Sequence, residues 1–432
     1  MKRKFKLKSP KDIRFMLIEQ YQTSTANILI RTIIDTCPDE SQIQRALKAL
    51  GEKHPYITAK YYEEQGDDGS EFYYEYQENK DISYTSEEIA DNEIAGKMDQ
   101  LSEMRSHLFN HASGKICMVK IYKGENSSMI EFSGSHIIGE VPSFIILMGD
   151  FLKFLDQSYK ATDIIVKPCQ KFIFKEELFG LEKEKIELCD IPVPEKSEQN
   201  FDKWFLPEAE LRRMAIPIKR FREIKNWLED NNIEAAVSDV FYYIASQVLQ
   251  KFLNREPDFW LALSVRRLLK NISLHSSVYN FDFWVPVSSN QFDATNAAKW
   301  IEEFSLYKKN FTTTPYSIVK RRNFCRSRSL NRAMAGTSTY HGRMIMNSIV
   351  KFPDFIFNNY GVIDEYIGKF EHFSIKDIEV QDGVPIQEIR FFTLNEVLYF
   401  NTTIFKNYKI DIDKFLSEFN NNLKALTNVA LF

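Results

Sequence analysis

Between residues 128 and 152 the chain changes period abruptly, and that change limits the folds open to it. Ser128-Met129-Ile130-Glu131-Phe132 is an apolar strand, and Phe144-Ile145-Ile146-Leu147-Met148-Gly149-Asp150-Phe151-Leu152 is an apolar helix. Between them stands Ser133-Gly134-Ser135-His136-Ile137-Ile138-Gly139-Glu140-Val141-Pro142-Ser143. A strand that feeds straight into an apolar helix must bury both, which calls for helices layered on a sheet. The junction carries a histidine with a carboxylate four positions on. On a rigid mount that pairing suits a general base; the plainer reading is a loop or core histidine held by one hydrogen bond.

The alternation recurs through the first half. The β-branched run 27–36 predicts a strand, and 39–53 a helix capped by Asp39 or Ser41 with Ile43, Ala46, Leu47 and Leu50 on one face. Paired strands are expected at 56–62 and 71–76 across Gly66-Asp67-Asp68-Gly69, and a hairpin at 115–122 and 127–135. Helices are expected at 11–21, at 92–106 and from the His136 junction to about Tyr159. Residues 166–200 change character, with Pro168, Pro192, Pro194 and charged runs, and read as a linker in which Phe172-Ile173-Phe174 offers a further strand. In the second half, helices are expected at 219–230, 238–252, 295–307, 316–325 and 411–426. Strands are expected at 279–287, 355–357, 370–378, 388–394 and 397–405. At 432 residues the chain is too long for one typical core, and the two halves read as copies of one α/β sandwich.

Composition excludes more than it assigns. Lys plus Arg is 56 against 60 for Asp plus Glu, a formal charge of −4, so no global attraction to nucleic acid or anionic membrane is expected. The five cysteines are scattered, without disulfide or metal spacing, and fit a reducing cytoplasm. The basic start is not followed by the apolar run of a secretory signal, and no stretch reaches membrane-span length. His107 and His111 are four apart but lack a third ligand nearby in sequence, so no metal is expected. His54, before Pro55 at a helix end, reads as a cap on helix carbonyls.

Several segments, in order along nearly the whole chain, resemble the CoA-dependent acyltransferase superfamily of chloramphenicol-acetyltransferase-like fold. Its members include condensation domains, alcohol acetyltransferases and polyketide-associated acyltransferases. Ala46 to Pro55 resembles the early helix that runs into a His-Pro pair, and Ser135 to Ser143 the His-His-x-x-x-Asp-Gly signature. Glu234 to Leu249 resembles the central helix of the second lobe, and Val285-Pro286-Val287-Ser288-Ser289-Asn290 a strand that usually ends in Pro-Val-x-x-Arg. Asn358 to Asp364 resembles the Ser-Asn-x-Gly-x-Ile segment, and 398–426 the closing strand and helix.

The resemblance implies an α/β fold of two chloramphenicol-acetyltransferase-like sandwich lobes, forming a V-shaped pseudo-dimer around a central channel. The lobes would be 1–165 and 201–432, joined by the 166–200 linker. It implies an acyltransferase that moves an acyl group from a CoA or carrier-protein thioester to a hydroxyl or amine, in specialised metabolism. His136 would be the catalytic base, acting in a ternary complex with no acyl-enzyme. An unperturbed imidazole, titrating near ~6.5, suits the task, and general-base help is worth roughly 10²–10⁴-fold. The donor is acyl-CoA or an acyl-phosphopantetheine carrier, with no resident cofactor, and a monomer is expected.

Ser135, Glu140 and Val141 stand where the signature has histidine, aspartate and glycine, and Asn290 where an arginine is common, which leaves the partner of Glu140 open. A β-branched residue in place of that glycine fills space beside the reacting centre. These substitutions motivate an alternative, a catalytically inactive lobe pair that binds a carrier or partner protein. A standalone condensation enzyme forming an amide between carrier-bound substrates is another. For the oxyanion or channel, Ser288, Ser289, Asn359 and Gly361 are candidates, against readings as turn or strand-end residues. Lys320, Arg321, Arg322 and Arg326, with Arg328, form a basic cluster that fits the phosphates of CoA or phosphopantetheine, or a solvated helix face.

Overall fold

The computed structural model describes residues 4–7, 27–66, 69–77, 81–161, 163–169, 208–264, 266, 277–278, 282–313, 353–383 and 387–432. The expected helices at 11–21 and 316–325, the Phe172–Phe174 strand, most of the 166–200 linker and the basic cluster at 320–328 lie outside them.

The described elements form three sheets. The first half builds a five-stranded sheet of order β12-β2-β7-β6-β5. Its members are β2 (Asn27–Ile34), β5 (Ser83–Glu88), β6 (Cys117–Lys123), β7 (Ser128–Ser135) and β12 (Ile375–Asp382). A small sheet of β1 (Lys4–Lys6), β3 (Lys60–Gly66) and β4 (Gly69–Glu75) flanks it. The second half builds a six-stranded sheet of order β10-β9-β11-β13-β14-β8. These are β8 (Ala209–Pro217), β9 (Asp258–Ser264), β10 (Asp282–Ser288), β11 (Phe355–Val362), β13 (Gln387–Leu394) and β14 (Val397–Phe405).

Helices cover the sheets as the apolar spacing demands. In the first half they are α1 (Glu40–Lys53), α2 (Asp91–Met98) and α3 (Val141–Ser158). Asp39 caps α1 in a reciprocal capping box with Gln42. Helix α3 is buried almost all round, as an apolar helix must be. In the second half they are α4 (Ile218–Asp230), α5 (Val237–Leu253), α6 (Ala297–Thr313), α7 (Asp364–Ile367) and α8 (Ile412–Thr427). Val240, Phe241, Ile244, Ala245, Val248 and Leu249 of α5 are all buried in the second core, the central place its sequence predicted.

Several expectations shift. The helix expected at 92–106 stops at Met98, and Glu103–Ser106 is a separate 3₁₀ turn. Pro55–Thr58 is a 3₁₀ turn ahead of β3, because proline fits the first turn of a helix better than a ladder. The strand expected at 370–378 begins at Ile375, and it pairs antiparallel with β2 in the first-half sheet. The chain thus crosses back from its second half to complete the first sheet. Strands β5, β8 and β9 carried no strand reading; the first two are polar sheet edges formed by pairing rather than propensity.

Each large sheet also carries a cross-strand row of mostly buried polar residues. One rung of the first sheet reads Lys120, Glu131, Arg31, Glu379 across β6, β7, β2 and β12, alternating in charge. One rung of the second reads Asn358, Arg390, Asn401, Arg213 across β11, β13, β14 and β8. Glu379 joins them: it accepts from Arg213 Nε at 2.5 Å and Asn401 Nδ2 at 3.0 Å, with Arg390 at 3.8 Å.

Candidate active site

His136 follows the last residue of β7 and is buried. It occupies the second position of a tight turn closed by Ile138 N–H to Ser135 O, 3.0 Å. Ser135 shapes that turn. Its hydroxyl accepts from Ile137 N–H at 3.2 Å and meets His111 Nε2 at 3.1 Å. The residue in place of a first histidine therefore fixes the backbone that presents His136. Two residues earlier, a Cβ on Gly134 would come within 2.8 Å of the Phe144 ring, so glycine lets α3 pack down onto β7.

On the other side of the turn, Glu140 is the N-cap residue of α3, but its carboxylate does not cap the helix. It accepts from Arg266 Nε at 2.6 Å and from Ser264 Oγ at 3.3 Å. The Arg266 fork also donates to Ser143 Oγ at 2.7 Å and to the Ser277 carbonyl. Glu140 and Arg266 are both almost fully buried. The partner of Glu140 is thus Arg266, just past the end of β9. Asn290 is exposed in a turn after β10, at the far end of the β9–β10 hairpin. Only a weak signal marked Arg266 in the sequence, an arginine soon after an apolar strand.

Val141 is the first residue of α3, and its side chain belongs to the first core. A β-branched residue is therefore accommodated there within regular helix, and Pro142 falls in the first turn, where its missing N–H costs nothing.

Helix α3 is held at two further points. Asp150 accepts from Lys53 Nζ at 2.6 Å and lies 2.7 Å from His54 Nε2, while His54 Nδ1 is 2.5 Å from the Tyr56 hydroxyl. A carboxylate only accepts, so Nε2 donates to Asp150 and neutral His54 takes the Tyr56 proton at Nδ1. Burial lowers the His54 pKa against the pull of Asp150, which keeps the ring neutral. The His54 side chain ties α1 to α3 and caps no carbonyl, contrary to the sequence reading. At Gly149 the backbone of α7 approaches so closely that a Cβ would stand 2.2 Å from the Tyr366 carbonyl oxygen. Gly149→Ala is expected to cost about 1–3 kcal/mol through overpacking, seen as a lower thermal unfolding midpoint.

The other candidates do not all gather here. Ser288 pairs with Asp258, six residues along β9 from Ser264, so it lies about 20 Å from the Glu140 end of the strand. Ser289 donates to Glu256. Asn359 and Gly361 lie nearer: β11 runs parallel to β9, with Asn358 beside Ala262, so they lie toward the Ser264 end. The ladder of β11 is irregular there, Gly361 has φ +71°, and its N–H donates to Asn359 Oδ1 at 2.9 Å. That bond makes Asn359 a turn former.

Two α/β units and a strand returned from the second half to the first sheet match the chloramphenicol-acetyltransferase-like fold of condensation domains. The likeness to solved structures spans the chain. The condensation domain of the monacolin K polyketide synthase MokA superposes with a TM-score of 0.66 at 9% identity, covering 99% of this chain and 98% of that one. Polyketide synthase associated protein 5 of Mycobacterium tuberculosis gives 0.62 at 12% identity, over 98% and 97%. The trichothecene 15-O-acetyltransferase of Fusarium sporotrichioides gives 0.63 at 10%, over 98% and 96%. No protein-family model and no curated protein sequence matches the chain. No helix among the described residues is long and apolar enough to cross a membrane.

Proposed function

We propose that this protein is an acyltransferase of the condensation or alcohol-acyltransferase type, with His136 as its general base. The imidazole takes the proton of an acceptor hydroxyl or amine as that group attacks a thioester carbonyl. The new C–O or C–N bond forms, the C–S bond breaks, and the leaving thiolate recovers the proton from the imidazolium. The donor is acyl-CoA or an acyl-phosphopantetheine carrier, and no resident cofactor is required. Binding both substrates beside one base supplies the rest of the acceleration.

The observation that carries this reading is the double fixing of the His136 turn. Ser135 holds one side, and the buried Glu140–Arg266 pair holds the other from the opposite half of the chain. The fold is shared with a condensation domain and an acetyltransferase, which supports the same chemistry. Glu140 and Val141 also fit their places without distortion, which favours catalysis over a purely partner-binding role. The test is thiol release from a panel of acyl-CoA and acyl-carrier thioesters with hydroxyl and amine acceptors. Wild type is expected to turn over at least one donor, and His136→Ala to fall to background with it. Equal rates would remove His136 from the reaction.

A further inference from the structure

Among the described residues four arginines are buried: Arg31, Arg105, Arg266 and Arg390. Three have carboxylates: Glu131 for Arg31, Glu140 for Arg266, and Glu388 for Arg390. Arg105 has none. It is only 5% exposed, its Nε donates to the Asp382 carbonyl at 3.1 Å, and the Phe405 ring lies 6.0 Å from its guanidinium carbon. Among the described residues nothing else hydrogen-bonds its fork, and neither terminal nitrogen has a hydrogen-bond partner. Nearby carboxylates are already committed. Glu388 serves Asn358 and Arg390, and Glu379 serves Arg213 and Asn401. Burial, helped by neighbouring Arg390, brings the Arg105 pKa down to about 10, as expected of a cation short of an anion.

Its location ties it to the candidate site. Arg105 lies on the Glu103–Ser106 turn, which Asn27 Nδ2 locks through the carbonyls of Met104, Arg105 and His107. Asn27 pairs in register with Ser135, next to His136, and Ser133 Oγ donates to the Met104 carbonyl.

We propose that Arg105 is a binding site for a carboxylate carried by one of the two substrates. A planar fork with both terminal nitrogens lacking hydrogen-bond partners matches a carboxylate in bidentate fashion, and one such charge completes the row of buried pairs. The assignment to a substrate rests on the acyl-transfer reading; the anion site itself does not.

The test begins without catalysis, by measuring the thermal stabilisation of the intact protein by succinate, by monomethyl succinate and by inorganic phosphate. Succinate is expected to stabilise wild type most, with affinity about ten- to a hundredfold weaker in Arg105→Gln. Arg105→Lys, which keeps charge but not the fork, is expected to fall between them. If Arg105 were a structural strut, Arg105→Gln would lower the anion-free midpoint and leave the succinate shift intact, and that result overturns the proposal. So does a phosphate shift that exceeds the succinate shift. Thiol release then separates the sources. Preference for succinyl-CoA over butyryl-CoA assigns the carboxylate to the donor, and preference for a hydroxy acid over its methyl ester assigns it to the acceptor. The preference must vanish in Arg105→Gln. Loss of the His136 reading would leave the binding result standing.

Discussion

Arg266→Ala is expected to destabilise the protein by about 3–5 kcal/mol, among the largest effects of any single change at the candidate site. The argument is one of desolvation. Glu140 is almost completely out of water, and Arg266 supplies its 2.6 Å ion pair. Removing the guanidinium takes the ion pair from a buried carboxylate and a charged donor from the Ser143 hydroxyl and the Ser277 carbonyl. The midpoint of thermal or urea unfolding reads the loss. Changing both partners, Glu140→Leu with Arg266→Met, removes the stranded charge and is expected to recover most of the stability. Activity should not recover with it. The turn bearing His136 would have lost one of its two fixings, and a misplacement of about 1 Å costs on the order of 10²-fold. An activity that returned in full with stability would show that the ion pair does not position the histidine.

Glu379→Ala is expected to cost about 3 kcal/mol, near the lower edge of the range for breaking a buried pair. Glu379 faces Arg213, Arg390 and Asn401 from the strand that returns to the first sheet. The cost stays at that edge because Arg213 keeps Asp377 at 2.7 Å and Arg390 keeps Glu388 at 3.1 Å. The surplus positive charge sits between the two sheets, so it should loosen one against the other. Faster amide exchange in β12 and β8 than in β6 is the expected signature, and uniform exchange would place the loss elsewhere.

Local chemistry made much of the fold legible. A β-branched run marked β2, a cap at Asp39 or Ser41 and a one-sided apolar face marked α1, and strong apolarity marked α3 and α5. The His136 junction was legible for the same reason, since a period-2 run meets a helix there. What escaped was whatever depends on a partner distant in sequence. Ala209–Pro217 has no strand pattern of its own and becomes one by pairing with β14. Arg266 is unremarkable until the fold brings it to Glu140, 126 residues away. Arg105 sat inside an expected helix and emerged on a separate turn.

By itself the sequence determined the elements, the central helices of both halves and the histidine between strand and helix, because propensity, capping and apolar period are written in near neighbours. Only the tertiary structure decided which half supplies β12, which arginine neutralises Glu140 and which buried arginine is left without a carboxylate. Those are questions of charge desolvated across a seam between sheets. A buried charge is stable only beside the group the fold happens to bring to it, and no local pattern records that group.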